Sequence, residues 1–214
     1  MNRKESRVES YYESHHVKGN RLRQSFLENE RGSLFSNWIG EHKKVLDLGG
    51  RDGALTKYFT NNNTVTIGDI DKEALQYEKQ TYNVETKIIN LNETTILDDS
   101  FDIVVMEEVL EHLPYPEITL SEIKRILNKN GEFVGNVPLA YHLKDRYQIL
   151  RGKKLVIAGD PTHLQFLTYE DALNLLSEYF NIQNIVILKG GKKADHFPKL
   201  FARNIAFKCS VNYT

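Results

Sequence analysis

The chain has 214 residues, 40% hydrophobic and 27% charged, a balance typical of a folded globular protein rather than a disordered or membrane-embedded one. Its 28 Lys and Arg against 29 Asp and Glu leave a net charge of −1, so the basic excess that favours nucleic-acid binding is absent. The single cysteine, Cys209, excludes an internal disulfide framework. Neither an apolar signal-peptide core nor a run of about 20 apolar residues is found. We therefore expect a cytoplasmic protein, or one that meets a membrane only peripherally.

Residues 1–42 are polar with helical spacing and predict an N-terminal helical cap. Short apolar runs then alternate with helical patterns as far as residue 138, and residues 139–168 form a Tyr-, Lys- and Arg-rich insertion. A helix and two strands, joined by a basic loop, are predicted for residues 169–214. The predicted strands are 44–48, 64–68, 86–89, 101–106, 132–137, 182–188 and 204–211. The predicted helices begin near residues 54 and 72 and span 120–127 and 169–179.

Strands that alternate with helices are typical of βαβ units and a parallel sheet. We predict one α/β domain over residues 1–214, with a doubly wound, mostly parallel sheet of seven strands. Ligands of such sheets bind outside the carboxyl ends of the strands. The residues that follow each strand, together with the insertion after the fifth strand, are therefore the candidates for a binding site.

A glycine-rich turn, DLGGRDG, follows the first strand. It does not match the fingerprint of nicotinamide dinucleotide sites, because the required second glycine is replaced by Arg51. Asp47 would repel a pyrophosphate but attract a cationic ligand such as S-adenosylmethionine. Asp69, which ends the second strand, can accept hydrogen bonds from both hydroxyls of a ribose, and Asn90 can offer an amide to an adenine edge.

With these residues the chain resembles the class I S-adenosylmethionine-dependent methyltransferases. VLDLGGRDG is similar to their first motif and IGDID to their ribose-binding segment, and LNETTILDDSFDIVVMEEVLEHLPYPE and EIKRILNKNGEFVGNVP follow in the expected order. The resemblance is close over residues 44–138 and implies a Rossmann-like methyltransferase fold. Arg51 in place of the central glycine and Asn90 in place of an adenine-site acid depart from the pattern. The cofactor contacts that it implies are Asp47, Gly49, Gly50, Gly53, Asp69, Ile70, Asn90, Leu91 and Met106.

A second group of candidate residues follows the fourth strand. Glu108, Glu111 and His112 are spaced at i, i+3 and i+4, so on a helix all three would share one face. Two carboxylates and an imidazole suit Mg²⁺ or Mn²⁺ and leave Zn²⁺ open. His163 is a candidate fourth ligand, or the general base if no metal binds. The alternative interpretation is a histidine that packs beside the sheet and is oriented by a glutamate.

E-x-x-E-H with a later histidine also resembles the ubiquinone-pathway O-methyltransferases and the small-RNA terminal 2′-O-methyltransferases. That resemblance implies a divalent metal held by Glu108, Glu111, His112 and His163, with the last three in catalysis. The insertion YQILRGKKLVIAGDPTHLQFLTYEDA is especially similar to the ubiquinone-pathway enzymes.

Two further groups concern the acceptor. Tyr11 and Tyr12 resemble the paired aromatics near the N-terminus of the ubiquinone-pathway enzymes, and with His15 they predict a lid over the cofactor. A helix that only packs on the sheet is the alternative. Arg146, Arg151, Lys153 and Lys154 form a basic cluster that either meets an anionic acceptor or is a solvated surface.

Together these features predict methyl transfer from S-adenosylmethionine to a hydroxyl of a small molecule such as a phenol, a sugar or a natural product. RNA 2′-O-methylation, N-methylation of a small amine and a non-catalytic cofactor-binding adaptor are the alternatives. The net charge and the lack of an additional RNA-binding domain argue against RNA. The acceptor and the oligomeric state are left open.

Overall fold

A computed structural model of the protein describes residues 26–50, 53–91 and 101–211. Within these ranges it contains a mixed sheet of seven strands. The residues group into two compact units, the first ending at Asn90 and the second beginning at Leu91. None of the described helices has the length and apolar character that crossing a bilayer requires. The predicted fold class, a seven-stranded α/β sheet with helices between the strands, is confirmed.

The first unit contains α1 Glu28–Ile39, β1 Lys44–Leu48, a 3₁₀ turn Thr56–Tyr58, β2 Thr64–Asp69, α2 Lys72–Tyr82 and β3 Glu85–Ile88. Its three strands form a parallel sheet in the order β3-β2-β1. β1 and β2 are buried over most of their length, and α1 contributes the buried side chains of Phe35 and Ile39 to the core. Asp71 begins α2, because its carboxylate accepts hydrogen bonds from the nitrogens of Glu73 and Ala74.

The second unit begins with β4 Phe101–Glu107, a 3₁₀ turn Leu110–His112, α3 Pro116–Ile126 and β5 Leu127–Pro138. It continues with α4 Leu143–Leu150, a 3₁₀ turn Ile157–Gly159 and α5 Tyr169–Tyr179. Its last elements are β6 Phe180–Lys189, α6 Lys193–His196, α7 Pro198–Phe201 and β7 Asn204–Val211.

Its four strands have the order β4-β5-β7-β6, in which β4 and β5 are parallel and β7 is antiparallel to both neighbours. Three aromatic rings meet in its core, where the ring centroid of Phe133 lies 5.2 Å from that of Phe180 and 5.0 Å from that of Phe207. The parallel pair places the ends of β4 and β5 together, so the residues that follow these strands share one edge of the sheet.

Several predicted elements differ from the structure. The insertion contains α4, which was not predicted, and the basic loop contains the short helices α6 and α7. The helix predicted from residue 54 is only a 3₁₀ turn. β5 begins at Leu127, five residues before the predicted strand, and its pairing with β4 is irregular between Phe101 and Ile103.

Candidate active site

The glycine turn after β1 depends on backbone conformations that favour glycine. Gly49 and Gly53 have φ angles of 77° and 68°, in the left-handed region. The Gly49 nitrogen donates to the oxygen of Gly68 at 2.8 Å and so ties the turn to β2. A Cβ at Gly50 would lie 2.9 Å from Oδ2 of Asp47, so a side chain there would displace that carboxylate. Arg51, the predicted departure from the motif, is outside the described residues.

Asp47 is the buried acid of this turn, with only 2% of its surface exposed. The hydroxyl of Thr56 donates to its Oδ2 at 2.6 Å. Burial raises the pKa of Asp47 to about 7, and the charge of Asp69 adds to the rise, whereas Thr56 and the Arg31 guanidinium oppose it. A cation placed beside Asp47 would favour its ionised form, which is the property expected of a group that holds S-adenosylmethionine.

The two predicted contacts that follow β2 and β3 lie in the same unit. Asp69 ends β2 half-buried, and its Oδ1 accepts a hydrogen bond from the nitrogen of Asp71 at 2.9 Å. The oxygen of Asp69 also accepts from the nitrogen of Ile89 at 2.9 Å, which joins the ends of β2 and β3. Ile70 and Asn90 are half-buried beside these ends. The first unit therefore brings an acid and an amide to the carboxyl edge of its sheet.

Leu91 and Met106 belong to the second unit. Leu91 is half-buried and its oxygen accepts from the hydroxyl of Thr119 at 3.1 Å, whereas Met106 is fully buried in β4. Tyr11, Tyr12 and His15, the predicted lid residues, lie outside the described residues, as does His16.

Glu108 does not share a helix face with Glu111 and His112, so that expectation was wrong. Glu108 has a φ of 55°, and only Leu110–His112 forms a 3₁₀ turn. Its Oε1 accepts hydrogen bonds from the side-chain amides of Asn136 and Asn204. The left-handed residue turns the Glu108 carboxylate toward β5 and β7, and the metal-ligand cluster of the described residues does not include it.

Glu111, His112 and His163 do come together, although His112 and His163 are 51 positions apart in the sequence. One potential ligand atom from each lies within 4.8 Å of the other two. The two imidazole rings are in edge contact, with their centroids 4.8 Å apart. Oε1 of Glu111, which is 1% exposed, lies 3.9 Å from Nε2 of His112.

Main-chain carbonyl groups fix the tautomer of both histidines. Nδ1 of His112 lies 3.1 Å from the oxygen of Thr162, and Nδ1 of His163 lies 2.9 Å from the oxygen of Ile157. A carbonyl oxygen can only accept, so both Nδ1 atoms carry the hydrogen. In the neutral imidazoles Nε2 is therefore the atom with the lone pair, available as a base or as a metal ligand.

Residues 162–165, which we call the strap, are fastened to the 3₁₀ turn after β4. The nitrogens of Leu164 and Gln165 donate to the oxygen of Glu111 at 2.7 and 2.9 Å. Nε2 of Gln165 donates to the oxygen of Leu113 at 2.9 Å. Asp160 shapes the approach to the strap, since its Oδ1 accepts from both the nitrogen and the hydroxyl of Thr162.

This donor set fits a divalent cation. Two imidazole nitrogens and one carboxylate within 4.8 Å of one another match the ligand types of Zn²⁺ and Mn²⁺, and each imidazole has the carbonyl partner that metal-binding histidines usually have. The same three groups without a metal present a base at Nε2 of His163 beside a buried carboxylate.

The residues that orient the candidate site side chains, the carboxylates of Asp47 and Glu108 and the ring of His163, were not predicted from the sequence. Thr56, Asn136 and Asn204 hold carboxylates, and Asp145 holds the segment that carries Ile157. Residue type carries little signal for them, because their role depends on contacts over 9 to 96 positions of sequence.

Comparison with known proteins gives a family match and more distant relatives. Residues 20–185 match the family model described as "Methyltransferase domain". The ubiquinone biosynthesis O-methyltransferase of Haemophilus ducreyi is 28% identical over 123 residues, 52% of this chain and 50% of the relative. The (S)-coclaurine N-methyltransferase of Thalictrum flavum is 29% identical over 116 residues, 49% of this chain and 32% of the relative. The chain thus spans about half the length or less of these curated relatives.

A TehB-like SAM-dependent methyltransferase from Corynebacterium glutamicum has a similar structure. Its TM-score is 0.63 at 16% identity, and the match covers 97% of this chain and 99% of the other. At this identity the likeness concerns the fold, which is that of the methyltransferases.

Proposed function

The chain belongs to the methyltransferase domain family, and from that premise we propose that it transfers the methyl group of S-adenosylmethionine to a hydroxyl of a small molecule. The observation that carries the proposal is the cluster of Glu111, His112 and His163, in which both histidines have their Nδ1 hydrogen engaged by a carbonyl oxygen. An oxygen acceptor needs a proton acceptor beside it, because a neutral hydroxyl is a poor nucleophile.

The binding of the cofactor is assigned to the first unit. S-adenosylmethionine supplies an electrophilic methyl group on a cationic sulfur. We propose that Asp47 and the glycine turn hold its charged amino-acid end and that Asp69 accepts hydrogen bonds from its ribose. Burial of Asp47 supports this role, because a buried carboxylate gains most from a cationic partner.

In the proposed reaction His163 is the general base. Nε2 of His163 takes the hydroxyl proton while the acceptor oxygen bonds to the methyl carbon, and the electrons of the broken carbon–sulfur bond stay on sulfur. The carbonyl of Ile157 holds the ring in the tautomer that this step requires.

Glu111, His112 and His163 are also the residues that would hold a divalent cation. Such a cation would lower the pKa of a bound hydroxyl and fix its direction. Glu108 is not part of this proposal, because Asn136 and Asn204 engage its carboxylate.

A second candidate is N-methylation of a small amine. The partial similarity to an N-methyltransferase favours it. A neutral amine is already a nucleophile, so this reaction needs less help from His163. RNA 2′-O-methylation is disfavoured by the net charge of −1, and a non-catalytic adaptor is disfavoured by the cluster of Glu111, His112 and His163. We place the reaction in the cytoplasm, on a small acceptor.

The test is transfer of labelled methyl from S-adenosylmethionine by the full chain into fractionated cell extract, with and without EDTA. Label in the small-molecule or lipid fraction that is lost with His163→Ala supports the O-methyltransferase. Loss with EDTA and recovery with Mg²⁺, Mn²⁺ or Zn²⁺ supports the metal. Label on amines that survives His163→Ala supports N-methylation, and label in RNA supports the RNA reaction.

His196→Ala is the matched control, since His196 is an exposed histidine in α6 and lies outside the cluster. It should transfer methyl like the unchanged chain. The proposal would be contradicted if the unchanged chain put no label into any fraction of the extract while both it and His163→Ala bound S-adenosylmethionine. The non-catalytic adaptor would then be the remaining interpretation.

A further inference from the structure

A solvent-open groove of about 690 Å³ lies in the second unit. One of its walls is α4, and the other is formed by α7 and the residues that connect it to β7. Its volume is in the range of small-molecule sites, which run from roughly 300 to 1,000 Å³. None of the residues of the Glu111, His112 and His163 cluster lines it. The groove is therefore a separate feature, to which the proposed reaction assigns no role.

The walls of the groove are apolar. Leu143, Tyr147 and Leu150 share one face of α4 because they are spaced at i, i+4 and i+7. They are 49%, 60% and 85% exposed, although a helix normally buries such a face. Leu200 and Phe201 face them from the other wall. Clustered apolar side chains left in water are typical of a binding surface.

The charges of the groove are all positive. Lys144, Arg146 and Arg203 line it, and among its described lining residues none is acidic. These three cations form no ion pair with a carboxylate of the described residues, although the whole chain has a net charge of −1. Arg203 is held in place through its main chain, since its nitrogen donates to Lys189 at 2.7 Å and its oxygen accepts from Leu139 at 3.0 Å.

The acidic residue of α4, Asp145, is not exposed to the groove. Asp145 of α4 is fully buried, with Oδ1 bound to the nitrogen of Val156 and Oδ2 3.4 Å from Nε2 of His142. Burial lowers the pKa of His142, and Arg203, Lys144 and Lys189 lower it further, while Asp145 opposes them. Two of the side chains that act on His142 in this way, Arg203 and Lys144, are cations that line the groove.

We propose that this groove binds a single-chain anionic amphiphile, with a carboxylate or phosphate head on Arg146 and Arg203 and an apolar body along Leu143, Tyr147 and Leu150. A free inorganic anion would leave the apolar walls in water. A neutral apolar ligand would leave the three cations of the groove without an anionic partner. Only a ligand that has both parts complements both features of the groove.

The test is calorimetric titration of the full chain with decyl phosphate below its micelle concentration, beside inorganic phosphate and decanol. Decyl phosphate should bind at least tenfold more tightly than either part alone. Arg146→Ser combined with Arg203→Ser should weaken it at least tenfold, and so should Tyr147→Ser combined with Leu150→Ser. The second pair is highly exposed, so its folding is secure. Lys129→Ser, an exposed lysine of β5 outside the groove, is the control and should bind like the unchanged chain.

Equal binding of inorganic phosphate and decyl phosphate, or binding that both double variants keep, would overturn the proposal. Vesicles of phosphatidylcholine with 30% phosphatidylglycerol distinguish a membrane surface. If the chain floats with these vesicles, if the double variants do not, and if decyl phosphate fails to displace the chain from them, the groove is a contact site for a bilayer and not for a single ligand. The titration contains no S-adenosylmethionine, so its result is independent of the proposed methyl transfer.

Discussion

The carboxylate of Asp145, which is fully buried, accepts a 2.9 Å hydrogen bond from the main-chain nitrogen of Val156. The next residue, Ile157, accepts the Nδ1 hydrogen of His163. Asp145 thus holds the segment that orients the proposed base, without contact with the base itself.

Asp145→Ala should therefore lower kcat about tenfold, within the range of roughly 10- to 100-fold seen when groups that orient site histidines are removed. The KM for S-adenosylmethionine should not change, because Asp145 is not one of the proposed cofactor contacts. Asp145→Asn keeps an oxygen that can accept from Val156 and should recover most of kcat. Steady-state kinetics on protein whose folded fraction is measured by circular dichroism checks this. Equal kcat per folded molecule in all three proteins would mean that Asp145 only stabilises the fold.

Removal of one proposed ligand should abolish tight metal binding. Glu111→Gln replaces the carboxylate with a neutral amide, so the affinity for Zn²⁺ or Mn²⁺ should fall at least tenfold because a charged ligand is lost. Titration calorimetry and the metal content of the purified protein measure this without reference to activity. His196→Ala should bind metal like the unchanged chain. A stoichiometry near zero in the unchanged chain would leave His163 as a base without a metal.

Much of the fold could be predicted because its strands are short apolar runs between turn residues. The bounds of Lys44–Leu48 and Asn204–Val211 agree with the predicted ones. The helix α4 was missed for a physical reason. It has only eight residues, so its apolar spacing repeats over about two turns, too few for the periodicity to mark a helix within the Tyr-, Lys- and Arg-rich insertion.

The site could be predicted only in part. The spacing of Glu108, Glu111 and His112 predicted a shared helix face, but the left-handed backbone at Glu108 separates the first residue from the other two. The approach of His163 to His112 followed from a family resemblance and not from spacing, since a contact over 51 positions leaves no local pattern.

The pKa of Asp47 predicts how the stability of the cofactor-free protein depends on pH. The native carboxyl keeps its proton up to about pH 7, whereas an unfolded one loses it near 3.8. The native state therefore binds more protons in this interval, and Asp47 makes the free energy of unfolding fall as pH rises from about 4 to 7. Asp47→Asn should remove this slope, so the variant gains stability relative to the unchanged chain toward pH 7. Urea unfolding at several pH values measures the difference, and parallel curves would contradict the raised pKa.

Asp47→Asn should have opposite effects on the stability of the protein and on its affinity for the cofactor. Asp47→Asn should weaken S-adenosylmethionine at least tenfold above pH 7, because a buried charge opposite a cation is lost. Equilibrium dialysis with labelled cofactor checks this. Unchanged affinity would remove Asp47 from the proposed cofactor site.

Alanine substitutions at two glycines of the first unit distinguish the cost of a positive φ from the cost of steric crowding. Gly40 and Gly53 both have a positive φ, 73° and 68°, but a Cβ at Gly40 meets nothing within 4 Å. At Gly53 it would lie 2.6 Å from Cε2 of Tyr82. Gly40→Ala should cost about 1 kcal/mol of stability. Gly53→Ala should cost about 1 kcal/mol more, since the added methyl must displace the Tyr82 ring. Equal costs in urea unfolding would mean that the ring moves aside freely.

The strap is fastened to the turn after β4 chiefly by the main-chain nitrogens of Leu164 and Gln165. Main-chain hydrogen bonds persist when a side chain is replaced, and the side chain of Leu164 is 52% exposed. Position 164 is thus open to diversification in a variant library while His163 keeps its anchor. Substitutions at this position can therefore change the surface beside His163 without loosening the cluster of Glu111, His112 and His163.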